Sequence, residues 1–410
     1  MATSWVSIEA SCLVLAIACS MLTINRVESI DPIGAHRSLA GETIFDIRKF
    51  GAKSDGRTDN GVMINQAWRA ACSSKGPARV LIPLGNFMAG QINFVGPCAG
   101  GKKTVQIQGT LLGDPNPSSH ASKAWISAQK VDYIDITGGG TINARGENFW
   151  KYAKGGGEGV LPVSLEFQTV GNGNLFNVNF LNSMGFHIRV TDSHDVALWG
   201  LNIQAPGNSP NTDGIHLSSN KNVRITDSKI GTGDDCISIG HGNYDVFVSK
   251  IECGPGHGIS VGSLGKRPDE TSMGRITIKD CLIRDTTNGA RIKTYHGSPV
   301  MDASGITFEN IIMERVKNPI IIDQNYNSNS KTQPSKVKIS DVHFRNIRGS
   351  SISPISITLN CSSTVPCQGV ELADINLTSF NVPGPLTSKC ANVKAYVRGK
   401  INLTGLERCF

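Results

Sequence analysis

The chain has 410 residues, 39% of them hydrophobic, with 45 glycines, 6% aromatics and a net charge of +7. That is ample material for a large core, and many turns with few bulky anchors suit a fold built from short strands. The positive charge fits an acidic partner, but no Lys/Arg run resembles a nucleic-acid arm and no RNA-binding signature occurs, which sets nucleic acid aside.

Residues 1–29 read as a signal peptide, with cleavage between 20 and 30. Ser11 to Ile24 is mostly apolar but short for a membrane span, and the stretch before it lacks Lys and Arg. No later segment is apolar enough to cross a bilayer. Residues 30–410 are then one domain of a secreted protein.

Phe45-Asp46-Ile47 opens a strand. Thr58 or Asp59 caps a helix running to about Ser73, with Ile64, Ala67, Trp68 and Ala71 on its apolar face. An amphipathic helix there would cover the open end of a solenoid. Residues 79–95 read as two strands and 104–143 as several more. The glycine-rich stretch 145–162 reads as a surface loop and a candidate barrier at one end of a cleft; Trp150 and Tyr152 either anchor it or stack on a sugar ring.

From residue 174 onward one unit recurs: apolar, any residue, apolar, a polar or turn pair, then more apolar residues. Val223, Val246, Ile276, Ile306, Val337 and Val370 align, at intervals of 23, 30, 30, 31 and 33 residues. Such drift fits one coil per repeat with loops of varied length. The predicted fold is all-β: a right-handed parallel β-helix with an N-terminal capping helix. Propeller blades would need ~40–45 residues each.

Eleven cysteines are present, and nine remain once Cys12 and Cys19 leave with the signal. Close pairs suggest the disulfides Cys72–Cys98, Cys236–Cys253, Cys361–Cys367 and Cys390–Cys409, with Cys281 left as a small apolar side chain. No Cys-x-x-Cys occurs, so no zinc site is expected. Asn360, Asn376 and Asn402 are Asn-x-Ser/Thr acceptors for glycosylation.

The chemistry concentrates between Ser209 and Lys293. Asp213 to Asp235 is 22 residues, and Asp235 to His257 is 22 again. Side chains at a coil-length interval stack, with neighbouring coils roughly 4.8 Å apart. Asp213, Asp234, Asp235, His257, Arg291 and Lys293 then share one patch. Crowded carboxylates raise the pKa of at least one, giving an acid beside ionised partners, as glycoside hydrolysis requires. A calcium site or a polar turn cluster is the plainer reading. His257 lies between glycines, so substrate can approach it and it can tune an acidic partner. Arg291 and Lys293 point outward while Ile292 faces the core. The two cations bind a sugar carboxylate, or neutralise the aspartates, or both. Tyr326, a coil further on, is placed to stack on or hydrogen-bond a sugar.

Asn211-Thr212-Asp213, Gly233-Asp234-Asp235, Gly256-His257-Gly258 and Arg291-Ile292-Lys293, in this order, resemble the four signatures of polygalacturonases, glycoside hydrolase family 28. The stretch Phe45 to Asp59 is similar to plant members, and Cys253 to Ser263 resembles pollen-type exopolygalacturonases. The likeness spans about 43–409. It implies a cell-wall enzyme, without cofactor or metal, that hydrolyses α-1,4 linkages of homogalacturonan with inversion, from the chain end rather than internally; a monomer is the default expectation. It implies Asp234 as proton donor, Asp213 and Asp235 holding the attacking water, and His257 supporting the acid. It also implies Asn211, Arg291, Lys293 and Tyr326 as substrate-binding residues. Adjacent-coil stacking near 4.8 Å is closer than the roughly 6.5–9.5 Å between carboxylates in inverting enzymes. Competing readings are an endo-acting enzyme, a calcium-dependent pectate lyase, a hydrolase of the rhamnose–galacturonate backbone and a non-catalytic pectin-binding solenoid.

Overall fold

The computed structural model describes residues 29–30, 35–37, 41–116, 119, 122–153, 161–326 and 333–409. The expected signal peptide lies outside these residues apart from Ser29, as do residues 154–160 of the expected loop.

Successive strands stack by parallel pairing into two sheets, of 20 and 11 strands, around one hydrophobic core that runs from Phe45 to Cys409. The result is a right-handed parallel β-helix. Antiparallel pairing is confined, among the described residues, to Ser29–Ile30, Ala35–Arg37 and Thr43–Asp46. No helix of the described residues is long and apolar enough to cross a membrane.

Alternation along each strand makes the wall. In the 11-stranded sheet, Ile215, Ile237, Ile259 and Ala290 are register partners, all fully buried. Each Ile removed from water contributes about 1.5–3 kcal/mol. The residues between them face out, so an apolar inner row forces a matching outer row. That outer row reads Asn93, Ser127, Glu166, Arg189, His216, Ser238, Ser260, Arg291 from coil to coil.

The repeat alignment needs one correction. Val223, Val246, Ile276 and Ile306 are register partners in turn, but Ile306 lies against Val342, which then meets Val370. Val337 pairs with Met301 instead. Asp341 adopts φ 53°, which breaks the alternation and turns both Ile339 and Val342 inward. Two inward valines five residues apart made the earlier one look like the repeat position.

The cap is the helix Gly61–Ser73, which buries Ile64, Ala67, Trp68 and Ala71. Trp68 packs at 5.0 Å on Phe94 and donates Nε1 to the Val95 carbonyl at 3.0 Å. The helix begins later than expected, with Asn60 rather than Thr58 or Asp59 at the N-cap. The Asn60 side chain instead bonds Lys53 N and the Met88 carbonyl. Asp59 Oδ1 accepts from Gly61 N and Gly90 N, both at 2.8 Å. Behind the helix, the buried Lys103 ammonium donates to the carbonyls of Ser74, Gly76, Gly100 and Gly101 at 2.9–3.2 Å.

Disulfides join Cys72–Cys98, Cys236–Cys253, Cys361–Cys367 and Cys390–Cys409. Cys281 is free and buried, and burial pushes its thiol up to about 12, far from reactive thiolate.

Candidate active site

Three loops enter the 11-stranded sheet one above another. They precede the strands Ile215–Ser218, Ile237–Ile239 and Ile259–Leu264 and carry Asp213, Asp234 with Asp235, and His257. The 22-residue interval is the length of one coil here: Gly214 N donates to the Asp235 carbonyl, and Cys236 N to the Gly258 carbonyl. The loops are packed backbone on backbone. A Cβ at position 233 would collide with the Ser209 carbonyl oxygen, so only glycine fits before Asp234. The Cys236–Cys253 disulfide ties the second loop's exit to the third loop's entry.

Asp235 is fully buried. Its Oδ1 accepts from Arg291 Nη2 at 2.6 Å and Ser260 Oγ at 2.9 Å, and its Oδ2 from Lys293 Nζ at 2.7 Å. Burial opposes its charge, but Arg291 and then Lys293 outweigh burial and hold the carboxyl at about 2. The strand Asn288–Tyr295 presents both cations on one face, with Ile292 in the core, as alternation predicts. Neutralisation of an aspartate is therefore one of their roles. Asp234 acts on both cations as well, so the two positive charges face two carboxylates. The Tyr326 ring stands 5.0 Å from Lys293 Nζ and 5.9 Å from Arg291 Cζ.

Asp213 is also buried, but its neighbours push the other way. Burial, then Asp234 and Asp235, raise its pKa well above the usual carboxylate range, against Lys293 and a 2.7 Å bond from Ser238 Oγ to Oδ2. Asp234 is the accessible member, with a fifth of its side chain exposed. Its Oδ1 accepts from Asp235 N at 2.8 Å and lies 2.9 Å from His257 Nδ1, while His257 N donates to its carbonyl. Asn211 is half-buried at φ 52° in the turn before Asp213.

Asp234, Asp235 and His257 offer ligand atoms within 4.8 Å of one another. A cation there would compete with Arg291 and Lys293, which already occupy both oxygens of Asp235, so the donor set does not suit a metal.

The outer row leads from this cluster into a groove of about 600 Å³ lined by Asn93, Lys123, Glu166, Phe186, Arg189 and His216, among others. Arg189 Nε donates to Glu166 Oε1 at 2.7 Å across the groove floor. Trp150 donates to the Ser183 carbonyl and so anchors its loop, whereas Tyr152 is half exposed. Of the glycosylation acceptors, Asn376 is exposed in its strand. Asn402 is exposed too but bonds Leu377 through its side-chain amide, and Asn360 is half-buried at a strand end.

Three residues at the site escaped the sequence reading: His216, Ser238 and Ser260. They follow Asp213, Asp235 and His257 by three residues each and repeat the same 22-residue interval, which was the signal that could have found them.

The model of glycosyl hydrolases family 28 matches residues 72–400. An exopolygalacturonase of Platanus acerifolia is 39% identical over 364 residues, covering 87% of this chain and 96% of its own. An exopolygalacturonase of Arabidopsis thaliana is 44% identical over 353 residues, covering 84% and 82%. The solved hyperthermoactive exopolygalacturonase of Thermotoga maritima superposes with a TM-score of 0.75 at 16% identity, covering 88% of this chain and 92% of that one, which is a likeness of fold. With the family model covering most of the β-helix and all of the carboxylate cluster, this chain belongs to glycosyl hydrolases family 28.

Proposed function

We propose that the protein is a polygalacturonase that hydrolyses the α-1,4 linkages of homogalacturonan from the chain end and releases galacturonate. The observation that carries the chemistry is the unequal set of three aspartates. One is open to the cleft beside a histidine, one is buried with a raised pKa, and one is buried and held ionised by two cations. The exo mode rests on the plant relatives that carry that name.

Asp234 supplies the proton, because a general acid must touch the glycosidic oxygen and only Asp234 of the three keeps appreciable exposure. His257 at 2.9 Å supports it. Asp213 and Asp235 are the pair for the attacking water, Asp213 being the one of the two that keeps any exposure. Asp235 has no exposed surface and both its oxygens are engaged, so it cannot reach an anomeric carbon as a nucleophile. Attack through water favours inversion, even though the Asp234 and Asp235 oxygens approach closely. Arg291, Lys293, Tyr326 and Asn211 bind galacturonate, the two cations offering donors to the sugar carboxylate. The polysaccharide lies along the outer row.

The disulfides fit an oxidising compartment and an extracellular protein. The mature chain begins near residue 30, is one catalytic domain, acts as a monomer in the cell wall and carries glycans at its acceptor asparagines.

A product profile on de-esterified polygalacturonate, with and without chelator, tests the reading. Monomer from the start with slow loss of viscosity is expected. Mixed oligomers with rapid loss would make the enzyme endo-acting. Ultraviolet-absorbing product abolished by chelator would replace hydrolysis with lyase chemistry.

A further inference from the structure

The outer row carries the same device twice beneath the aspartates. Ser260 Oγ donates to Asp235 Oδ1 at 2.9 Å and accepts from Arg291 Nε at 2.8 Å. One coil earlier, its register partner Ser238 donates to Asp213 Oδ2 at 2.7 Å and lies 2.8 Å from His216 Nδ1. Both serines reach back 25 residues to their aspartate. We propose that Ser238 and His216 are positioning residues for Asp213, the counterpart of Ser260 and Arg291 behind Asp235. The proposal rests on the hydrolase reading and extends it to two residues given no role in it.

The hydrogen-bond inventory fixes the chain. A hydroxyl has one proton. Given to Asp213, it leaves Ser238 Oγ an acceptor, so His216 Nδ1 carries the hydrogen between them. Ser238 and His216 are 3% and 8% exposed, so water is a poor substitute for either. The bond to Oδ2 fixes the plane of the Asp213 carboxyl and thereby the direction of Oδ1. A misplacement of about 1 Å at a reacting group costs on the order of 100-fold.

The two rungs end differently. Asp235 is backed by a guanidinium, which is always charged, whereas Asp213 is backed by an imidazole. The charged groups around His216 are Arg189, its register partner, with Glu166 beyond it, and Arg267 on the same groove wall; Phe186 packs its ring at 4.9 Å.

The test compares Ser238→Ala, Ser238→Thr, His216→Gln and His216→Phe with the wild type on de-esterified polygalacturonate, with thermal melts alongside. Ser238→Ala should lower kcat by about 10- to 100-fold with KM within about twofold, and should lower the melt only modestly, as expected for the loss of two buried hydrogen bonds. Ser238→Thr, which restores the hydroxyl, should recover most of it. His216→Gln keeps an N–H donor and should retain more kcat than His216→Phe. Wild-type kcat in Ser238→Ala would overturn the positioning role. So would a rise in KM alone, which would make Ser238 a substrate contact. Should Ser238→Ala fail to fold, the two His216 variants decide: equal kcat in both would overturn the chain. A wild type that releases no reducing ends would overturn the hydrolase reading and this role with it. An active wild type beside an unimpaired Ser238→Ala overturns this role alone.

Discussion

Asp234 and Asp235 are adjacent in the chain but sit in opposite surroundings. Asp234 keeps a fifth of its side chain exposed and meets a histidine; Asp235 keeps none and meets an arginine and a lysine. Alternation alone would put neighbours on opposite faces. Here a glycine turn puts one at the cleft surface and the other beneath it, and their chemistry diverges accordingly.

Asp234→Asn preserves size and the contact with Asp235 N but removes the transferable proton. Turnover should fall by about 10²–10⁴-fold, with oligomer binding and melting temperature held. Reducing-end assays and calorimetric titration with galacturonate oligomers check this; wild-type turnover would remove Asp234 from the acid role.

Asp235→Asn should behave differently, because it leaves Arg291 and Lys293 buried beside no anion. Removing one partner of a buried ion pair costs about 3–5 kcal/mol, so this variant should lose stability as well as activity. Denaturant unfolding of the two Asn variants side by side separates them. An Asp235→Asn protein as stable as wild type would mean the cations do not need it.

Acid should act on the two buried carboxylates in opposite senses. The raised pKa of Asp213 favours the native state while that group is protonated, and the benefit is lost as pH rises through the native value. Asparagine there removes the titration. Asp213→Asn should therefore be inactive yet melt above wild type near neutral pH, with the gap closing as pH falls from the native value and gone below about pH 4. Asp235, held at about 2, contributes stability above its unfolded value near ~3.9 that is lost as pH falls towards 2. Melts of both Asn variants against wild type across this range check the signs. A pH-independent gap for Asp213→Asn would refute the charge argument.

Lys103→Met would leave four carbonyls beneath the capping helix without their donor. Gly100 and Gly101 are exposed, so their carbonyls can turn to water, and the cost falls on the half-buried Ser74 and Gly76; a loss of about 1–3 kcal/mol is expected, partly offset because burial disfavours the ammonium. Turnover well below the melting temperature should stay near wild type, since the cap is remote in sequence from the carboxylates. Unfolding in urea measures the first and a low-temperature assay the second.

The coil repeat was legible because core packing imposes it: valines and isoleucines must recur where inward rows stack. It misled at Val337 because an alternation break at Asp341 turns two valine positions inward, and nothing in residue type marks such a break. The cluster of Asp213, Asp234, Asp235 and His257 was legible because these side chains are costly to crowd and rare without reason. Ser238, Ser260 and His216 were not, because polar residues alternating with isoleucine look like the ordinary wet face of a strand. The helix start was misjudged because the side chain of Asn60 serves a neighbouring loop, a contact set by the fold rather than by its own turn.

The coils that carry the carboxylates are also the shortest. His216, Ser238 and Ser260 repeat at 22 residues, whereas the next step, Ser260 to Arg291, takes 31. Loops that pack backbone on backbone have no slack, so one residue gained or lost between Asp213 and His257 would slide the outward row towards the core. An insertion in a later coil or at the rim of the groove should leave the carboxylates in register, whereas this segment accommodates substitution only.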